Sequence, residues 1–241
     1  MRVAVLSDIH GNLTAFEAVQ ADLRQTSPDL VLHGGDLADN GSSPAEIVDR
    51  IRDLGWQGVM GNTDEMLIMP EALEEFASES SAPAAMWELI RQIASATRSA
   101  LGNERLAWLR KLPCVHLEED FALVHASPQS CWRAPGPNAT DAELESVYGK
   151  LDRPVVIFGH THVPSIRSIA GHPQLLINTG SVGLPYDGDP RAAYLLLEDG
   201  TPSIRRVVYD VARELKSLSS SDLPGAAWTS SMLRTSSPQM P

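Results

Sequence analysis

The fold is decided by one stretch near the start of the chain, Arg2-Val3-Ala4-Val5-Leu6-Ser7-Asp8-Ile9-His10-Gly11-Asn12. Its first part, Arg2 to Leu6, is a short apolar run typical of a buried strand, and the polar residues after it end that strand. A helical pattern comes next, in which apolar residues recur at spacings of three and four: Leu13, Phe16, Ala18, Val19 and Leu23. We therefore predict a strand, a loop and a helix, with Asp8 and His10 in the loop.

Two more units of this kind follow along the chain. The predicted strand Asp29–His33 ends at Gly34-Gly35-Asp36, and the short strand Gly58–Met60 ends at Gly61-Asn62-Thr63-Asp64. The alternation of strands with helices predicts a parallel sheet in a layered α/β domain. Ligands of such sheets lie beyond the carboxyl ends of the strands, which is where Asp8, Asp36 and Asn62 fall.

The remainder of the chain contains a helical segment, further strands and a polar C-terminal segment. Residues 66–112 predict a helical cap inserted in a domain that spans residues 1–216, and residues 217–241 predict a flexible tail rich in Ser and Pro. Two further strands, Phe121–Val124 and Val155–Phe158, end at His125 and at Gly159-His160-Thr161-His162. Later apolar runs predict antiparallel strands over residues 166–169, 175–177, 193–197 and 204–209.

The composition limits the classes of function. The chain has 241 residues, of which 43% are hydrophobic, and this is enough for one sizeable core. A formal net charge of −12 disfavours stable binding of nucleic acids, because an acidic surface repels their phosphates. Two cysteines, no signal-peptide pattern and no long apolar run predict a cytoplasmic protein without a membrane segment. A homo-oligomer stays open.

The five loops carry side chains that bind metals. Taken alone, an Asp at a strand end is most often a helix cap, and a lone His is most often structural. Together, however, the loops bring carboxylate, amide and imidazole groups to one edge of the predicted sheets, a donor mixture that suits Mn, Fe, Zn, Ni or Co. Seven candidate ligands exceed the needs of a single ion. We therefore predict two divalent ions that share a carboxylate.

The motifs that carry this prediction are Asp8-Ile9-His10, Gly35-Asp36, Gly61-Asn62-Thr63-Asp64, His125 and Gly159-His160-Thr161-His162. In order, spacing and strand context this set resembles the calcineurin-like metallophosphoesterase superfamily, over roughly residues 1–210. The resemblance implies a four-layer αββα sandwich, in which helices flank two mixed β-sheets. It also implies a ligand set: Asp8, His10 and His162 for one ion, Asn62, His125 and His160 for the other, and Asp36 as the bridge. The implied reaction is attack on phosphorus by a hydroxide that bridges the two metals.

Two positions depart from the pattern of many superfamily members. Thr63 stands where many members have a His that protonates the leaving group; Asp64 is a candidate replacement, and the alternative is that both residues only cap the next helix. Asn40 stands where protein serine/threonine phosphatases have a phosphate-binding Arg, which argues against that class. In lacking the His, the chain resembles the small bacterial and archaeal phosphodiesterases of the superfamily.

These observations predict a phosphodiesterase that acts on a small phosphate ester or nucleotide. The predicted catalytic residues are Asp36, Asn62, His160 and Asp64. The predicted substrate contacts are Asn62, Trp132 and Arg133, against the alternative of a packed loop Trp and a solvated Arg. A phosphomonoesterase or a dinucleoside-polyphosphate hydrolase is the rival among enzymes. A non-catalytic scaffold is the rival from another class, and it predicts that metal ligands have been lost.

Overall fold

The computed structural model describes residues 1–136 and 138–241. Its strands are β1 (Arg2–Leu6), β2 (Leu30–His33), β3 (Gln57–Gly58), β4 (Val115–Leu117), β5 (Phe121–Val124), β6 (Val155–Phe158), β7 (Ser165–Ser168), β8 (Leu175–Asn178), β9 (Ala192–Glu198) and β10 (Thr201–Val207). Its α-helices are α1 (Leu13–Thr26), α2 (Pro44–Asp53), α3 (Asn62–Ile68), α4 (Pro70–Glu79), α5 (Ala84–Leu109), α6 (Asp141–Tyr148), α7 (Val211–Ser219) and α8 (Ala226–Thr235).

The strands form two five-stranded mixed sheets, in the orders β10-β9-β1-β2-β3 and β4-β5-β6-β8-β7. In the first sheet β1, β2 and β3 are parallel, as the repeated strand–loop–helix units predict, and β9 and β10 are antiparallel additions. In the second sheet β5, β6 and β8 are parallel. The expectation of only antiparallel strands after residue 166 is therefore wrong for β8, which is antiparallel to β7 alone.

The core confirms the four-layer αββα architecture. Successive side chains of a strand point to opposite faces, so Val3 and Val5 of β1 pack between the two sheets while Ala4 and Leu6 face the helices. The layer between the sheets also receives Phe121 of β5 and other apolar strand residues. On the far side, α6 packs against the second sheet through a cluster that contains Tyr148. Both sheets are thus covered by helices on their outer faces.

The predicted cap segment is helical and comprises the last three residues of α3 together with α4 and α5. Helix α5 packs against α3 and α2, with Ile93, Leu101 and Leu109 fully buried. The cap therefore shares the core of the first sheet and borders the loop that carries Asn62. The limits of the cap and of the 1–216 domain stay predictions.

The C-terminal segment differs from the expected flexible tail. Residues 226–235 form α8, and Met232 and Leu233 are buried against Leu184 and Leu218. The apolar residues of α8 recur at helical spacing (Trp228, Met232, Leu233) among many Ser and Thr residues, and the polar composition concealed this pattern. The burial of that apolar face is what orders the segment. No helix in the described part of the chain is long and apolar enough to cross a membrane.

Candidate metal centre

The seven predicted ligands come together where the strands of the two sheets end. Asp8, His10 and His162 form one half of the site, in which His162 Nε2 lies 3.2 Å from Asp8 Oδ1 and 3.2 Å from His10 Nε2. Asp36 belongs to this half as well, because one ligand atom from each of the four residues lies within 4.8 Å of the others. All four side chains are buried.

Asn62, His125 and His160 form the other half of the site. Asn62 Oδ1 lies 2.9 Å from His125 Nε2 and 2.9 Å from His160 Nδ1. Asp36 contacts both halves with different oxygens: Oδ1 is 3.5 Å from His125 Nε2, and Oδ2 is 3.6 Å from His10 Nε2. Asp36 is thus placed between the two groups of side chains.

Backbone carbonyls set the protonation of three of the histidine rings. Nδ1 of His10 donates to the carbonyl of Asp39 (3.1 Å), Nδ1 of His125 to Gly34 (2.7 Å) and Nδ1 of His162 to Leu184 (2.6 Å). A carbonyl only accepts, so Nδ1 carries a proton in each ring and Nε2 is the nitrogen that faces the centre. Carbonyl partners of this kind orient metal-binding histidines in proteins.

The loops hold their ligands in an uncommon backbone conformation. Positive φ angles occur at five of the seven residues: Asp8 (55°), His10 (49°), Asp36 (55°), His160 (67°) and His162 (58°). Non-glycine residues in this region cost about 1 kcal/mol or more each, and they persist where the surroundings enforce them. Backbone hydrogen bonds between the loops help to hold this conformation here. The N–H of Asp8 donates to the carbonyl of Gly35 and the N–H of His10 to the carbonyl of Asp36, both at 3.0 Å.

Two glycines allow the loops to approach the ligands closely. A Cβ atom at Gly61 would collide with Oδ1 of Asp36, and one at Gly159 would collide with Oδ2 of Asp8. Any side chain at these positions would push a carboxylate out of the site. Steric crowding therefore explains why a glycine precedes Asn62 and His160 in the motifs.

The electrostatics of the centre suit a cation. Burial lowers the pKa of His10 to about 4 and that of His160 to about 3, so both rings are neutral lone-pair donors at pH 7. Burial alone would raise the pKa of Asp8, but the neighbouring His162 holds it below its usual range. Burial raises the pKa of Asp36, which shows the cost of an uncompensated buried carboxylate. The side chains therefore fit a divalent metal ion, which would supply the missing positive charge.

Asp64 does not occupy the position expected of a proton donor. Its side chain is fully buried, and its oxygens accept three backbone N–H groups: from Asp36 (2.8 Å), Leu37 (3.0 Å) and Gly61 (3.0 Å). Asp64 thus connects the Asp36 loop to the start of α3. Its hydrogen bond from Gly61 is also the contact that a helix cap would make. These contacts favour a positioning role for Asp64, and its catalytic role stays a prediction.

Asp64→Asn is expected to lower the free energy of unfolding by about 2–3 kcal/mol, because an amide nitrogen would then face a backbone N–H donor. Turnover should fall as well, since Asp36 loses its support. Urea unfolding and a pH–kcat profile check this, with the exposed Glu71→Gln as the control. Loss of only the alkaline limb of the profile, with unchanged stability, would instead identify Asp64 as the proton donor.

The two predicted substrate contacts beyond Asn62 differ in position. Trp132 lines a pocket of 200 Å³ that also includes Asn62 and His160, so it borders the metal centre. Arg133 forms an ion pair with Glu79 and lies over the ring of Phe76, with 58% of its side chain exposed. The structure therefore places Trp132, and not Arg133, beside the site.

Several supporting residues were not predicted individually. Ser181 donates from Oγ to the carbonyl of Asp8 (2.7 Å), and Asn178 donates from Nδ2 to the carbonyl of Gly159 (2.7 Å). The ring of Tyr186 stacks on His162, with 4.4 Å between centroids. The Asn-Thr-Gly-Ser run of residues 178–181 is a detectable loop signal, whereas nothing in the local sequence marks Tyr186.

The comparison with known families agrees with this geometry. The model of the calcineurin-like phosphoesterase superfamily domain matches residues 1–200. The chain belongs to this superfamily. Together with the buried Asp and His cluster, membership makes the protein a metal-dependent phosphoesterase. The scaffold alternative is disfavoured, because none of the seven ligand positions is lost.

Relatives of known sequence support the same family. The chain is 32% identical to an uncharacterized protein of Methanocaldococcus jannaschii, over 92% of this chain and 93% of that protein. It is 30% identical to a symmetrical bis(5′-nucleosyl)-tetraphosphatase of Aromatoleum aromaticum, over 61% of this chain and 52% of the relative. The match to the tetraphosphatase thus spans only about half of that protein's length.

A solved structure has the same fold over nearly the whole chain. The crystal structure of a metallophosphoesterase from Sphaerobacter thermophilus matches with a TM-score of 0.78 and 28% identity, covering 98% of this chain and 100% of that chain. A hypothetical protein of Pyrococcus horikoshii matches with a TM-score of 0.83 over 99% of both chains, but at 17% identity it shows the fold alone. Because both matches cover 98% or more of the chain, they extend over the C-terminal helices.

Proposed function

We propose that this protein hydrolyses phosphodiesters at a centre of two divalent metal ions. The position of Asp36 carries the proposal, because its two carboxylate oxygens face the two halves of the ligand set. A shared carboxylate is what a two-metal site requires, and a single ion would leave one half without a function. Two such ions supply Lewis-acid activation of water and of the phosphoryl oxygens.

The seven side chains are assigned to two metal positions. In the proposal, Asp8, His10 and His162 hold one ion, Asn62, His125 and His160 hold the second, and Asp36 contacts both. Asn62 is a neutral ligand, so the loaded site keeps a net positive charge for an anionic ester. Among Mn, Fe, Zn, Ni and Co, which all suit this donor set, Mn is the ion with which we would load the protein first.

The missing proton donor restricts the proposed substrates to esters with a good leaving group. Thr63 has a hydroxyl that cannot protonate a leaving group at neutral pH, and both oxygens of Asp64 accept backbone hydrogen bonds. Poor leaving groups should then react slowly, while diesters with a good leaving group react readily. We propose a small phosphate ester as the substrate and the cytoplasm as the compartment.

Hydrolysis of a dinucleoside polyphosphate is the second candidate function. The likeness to two symmetrical tetraphosphatases, at 30% and 29% identity, favours it. The match covers 52% of each of those proteins, so it does not include the whole of either relative. Such a substrate would also offer a good leaving group, so the same centre could act on it.

A substrate panel tests the proposal. We expect the Mn-loaded protein to hydrolyse bis(p-nitrophenyl) phosphate with a kcat/KM about tenfold or more above that for p-nitrophenyl phosphate. Both substrates release p-nitrophenolate, so the ratio reports the ester class and not the quality of the leaving group. Diadenosine tetraphosphate is measured beside them. Turnover confined to the monoester would overturn the diesterase proposal, and faster turnover of the tetraphosphate would favour the second candidate.

A further inference from the structure

A narrow pocket beside the metal centre has no role in the proposal above. It has a volume of 200 Å³, and its walls come from the Asn62 and His160 loops, the cap helices and α8. Because Asn62 and His160 belong to both the pocket and the centre, an ester held at the centre can extend a substituent into the pocket. The fit of that substituent to the pocket would therefore determine which esters bind.

The walls of the pocket are aromatic and are held in place. They include Phe76, Trp87, Trp132 and Trp228. Two of the indoles have their N–H groups engaged: Trp132 Nε1 donates to Glu65 Oε2 (2.6 Å) and Trp228 Nε1 donates to the carbonyl of Gln239 (2.8 Å). Their ring carbons remain to contact a ligand. An apolar cavity of about 150 Å³ binds benzene, so this pocket has room for one flat ring system.

Three residues that line the pocket also have buried polar atoms. Asp39 Oδ1, Thr63 Oγ1 and Trp87 Nε1 are buried without a hydrogen-bond partner among the described residues. Their residues are 1%, 8% and 8% exposed and all line the pocket. The set contains an acceptor, a hydroxyl and a donor. The wall therefore combines aromatic faces with a carboxyl, a hydroxyl and an indole N–H, a mixture that suits a heterocycle with ring nitrogens and an amino group better than a hydrocarbon ring.

We propose that this pocket binds the nucleobase-like heteroaromatic ring of a phosphate-ester substrate, and that Trp228 of α8 determines this specificity. The inference rests on the proposed function and narrows its substrate class to nucleotide-type esters. Trp228 lies outside residues 1–200, the part that the family model matches. The C-terminal segment thus contributes one wall of the substrate site to the phosphoesterase domain.

The test compares two product-like ligands that differ only in the base. The affinities of adenosine 5′-monophosphate and ribose 5-phosphate for the Mn-loaded protein are measured by titration calorimetry. We expect the nucleotide to bind about tenfold more tightly, which is within the effect of aromatic stacking on one base. Trp228→Ala should bring the ratio towards one, and Trp228→Phe should retain most of it. Arg234→Ala, exposed on the same helix, is the matched control and should keep the ratio.

Equal affinities in the unmodified protein would overturn the inference, and this measurement does not depend on any variant folding. An unchanged ratio in a folded Trp228→Ala protein, as checked by circular dichroism, would overturn the role of Trp228. If diesters are hydrolysed and ribose 5-phosphate binds while the base adds nothing, only this inference fails. If neither ligand binds and no diester is hydrolysed, the proposed function fails with it.

Discussion

Asp36→Asn is expected to lower kcat by about a thousandfold or more, equivalent to ~4 kcal/mol of transition-state stabilisation. The amide has the same shape as the carboxylate but lacks the negative charge that faces both halves of the ligand set. Divalent cations depend on anionic oxygen ligands, so both ions should bind more weakly. Elemental analysis of the purified variant together with diester turnover measures the effect.

The control for Asp36→Asn is the same change at Asp53, a residue with a side chain that is 75% exposed at the end of α2. That variant should retain the metal content and the turnover of the unmodified protein. An Asp36→Asn protein with wild-type turnover and two bound ions would show that the carboxylate does not join the two halves. The bridging role of Asp36 would then have to be abandoned.

His162→Ala and Asn62→Ala should each remove one of the two ions and lower turnover by about a hundredfold or more. They act on opposite halves of the centre, because His162 contacts Asp8 and His10 whereas Asn62 contacts His125 and His160. The remaining half keeps its own side chains and Asp36. Metal content should therefore fall from two ions to one in each variant and approach zero in the double variant.

The matched control for these variants is His172→Ala, which removes a half-buried histidine that lies outside every ligand loop. Its metal content should stay at the wild-type value. Two bound ions and full turnover in His162→Ala would contradict the assignment of that residue. Simultaneous loss of both ions in either single variant would show that the halves do not bind independently.

The strand-end motifs could be predicted from the sequence because their signals are local. An apolar run such as Phe121–Val124 followed by His125 indicates both where the strand ends and which side chain follows it. Parallel packing then brings distant loops to one edge, so Asp8 and His162 meet although 154 positions separate them in the sequence. The ligand set follows from these two rules together with the family resemblance.

The residues whose surroundings could not be predicted depend on contacts between distant segments. Asp64 looks like a candidate acid in the sequence, and only the fold shows that its oxygens are occupied by the loop of residues 36–37. Arg133 follows Trp132 directly, but the cap supplies Glu79 as its partner and holds it at the surface. The tail was expected to be flexible from its composition, and α8 becomes ordered only against Leu184 and Leu218. Contacts between distant segments determine the surroundings of these residues, and local sequence patterns do not reveal those contacts.

The most direct test of the central claim is a titration of metal-free protein with Mn²⁺ that records bound ions and diester turnover in the same samples. A centre built from the seven side chains should take up two ions per chain, and turnover should rise as the second site fills. A chelator should abolish the activity, and added Mn²⁺ should restore it. Saturation at one ion, no binding at all, or undiminished hydrolysis by the metal-free protein would contradict the two-metal centre.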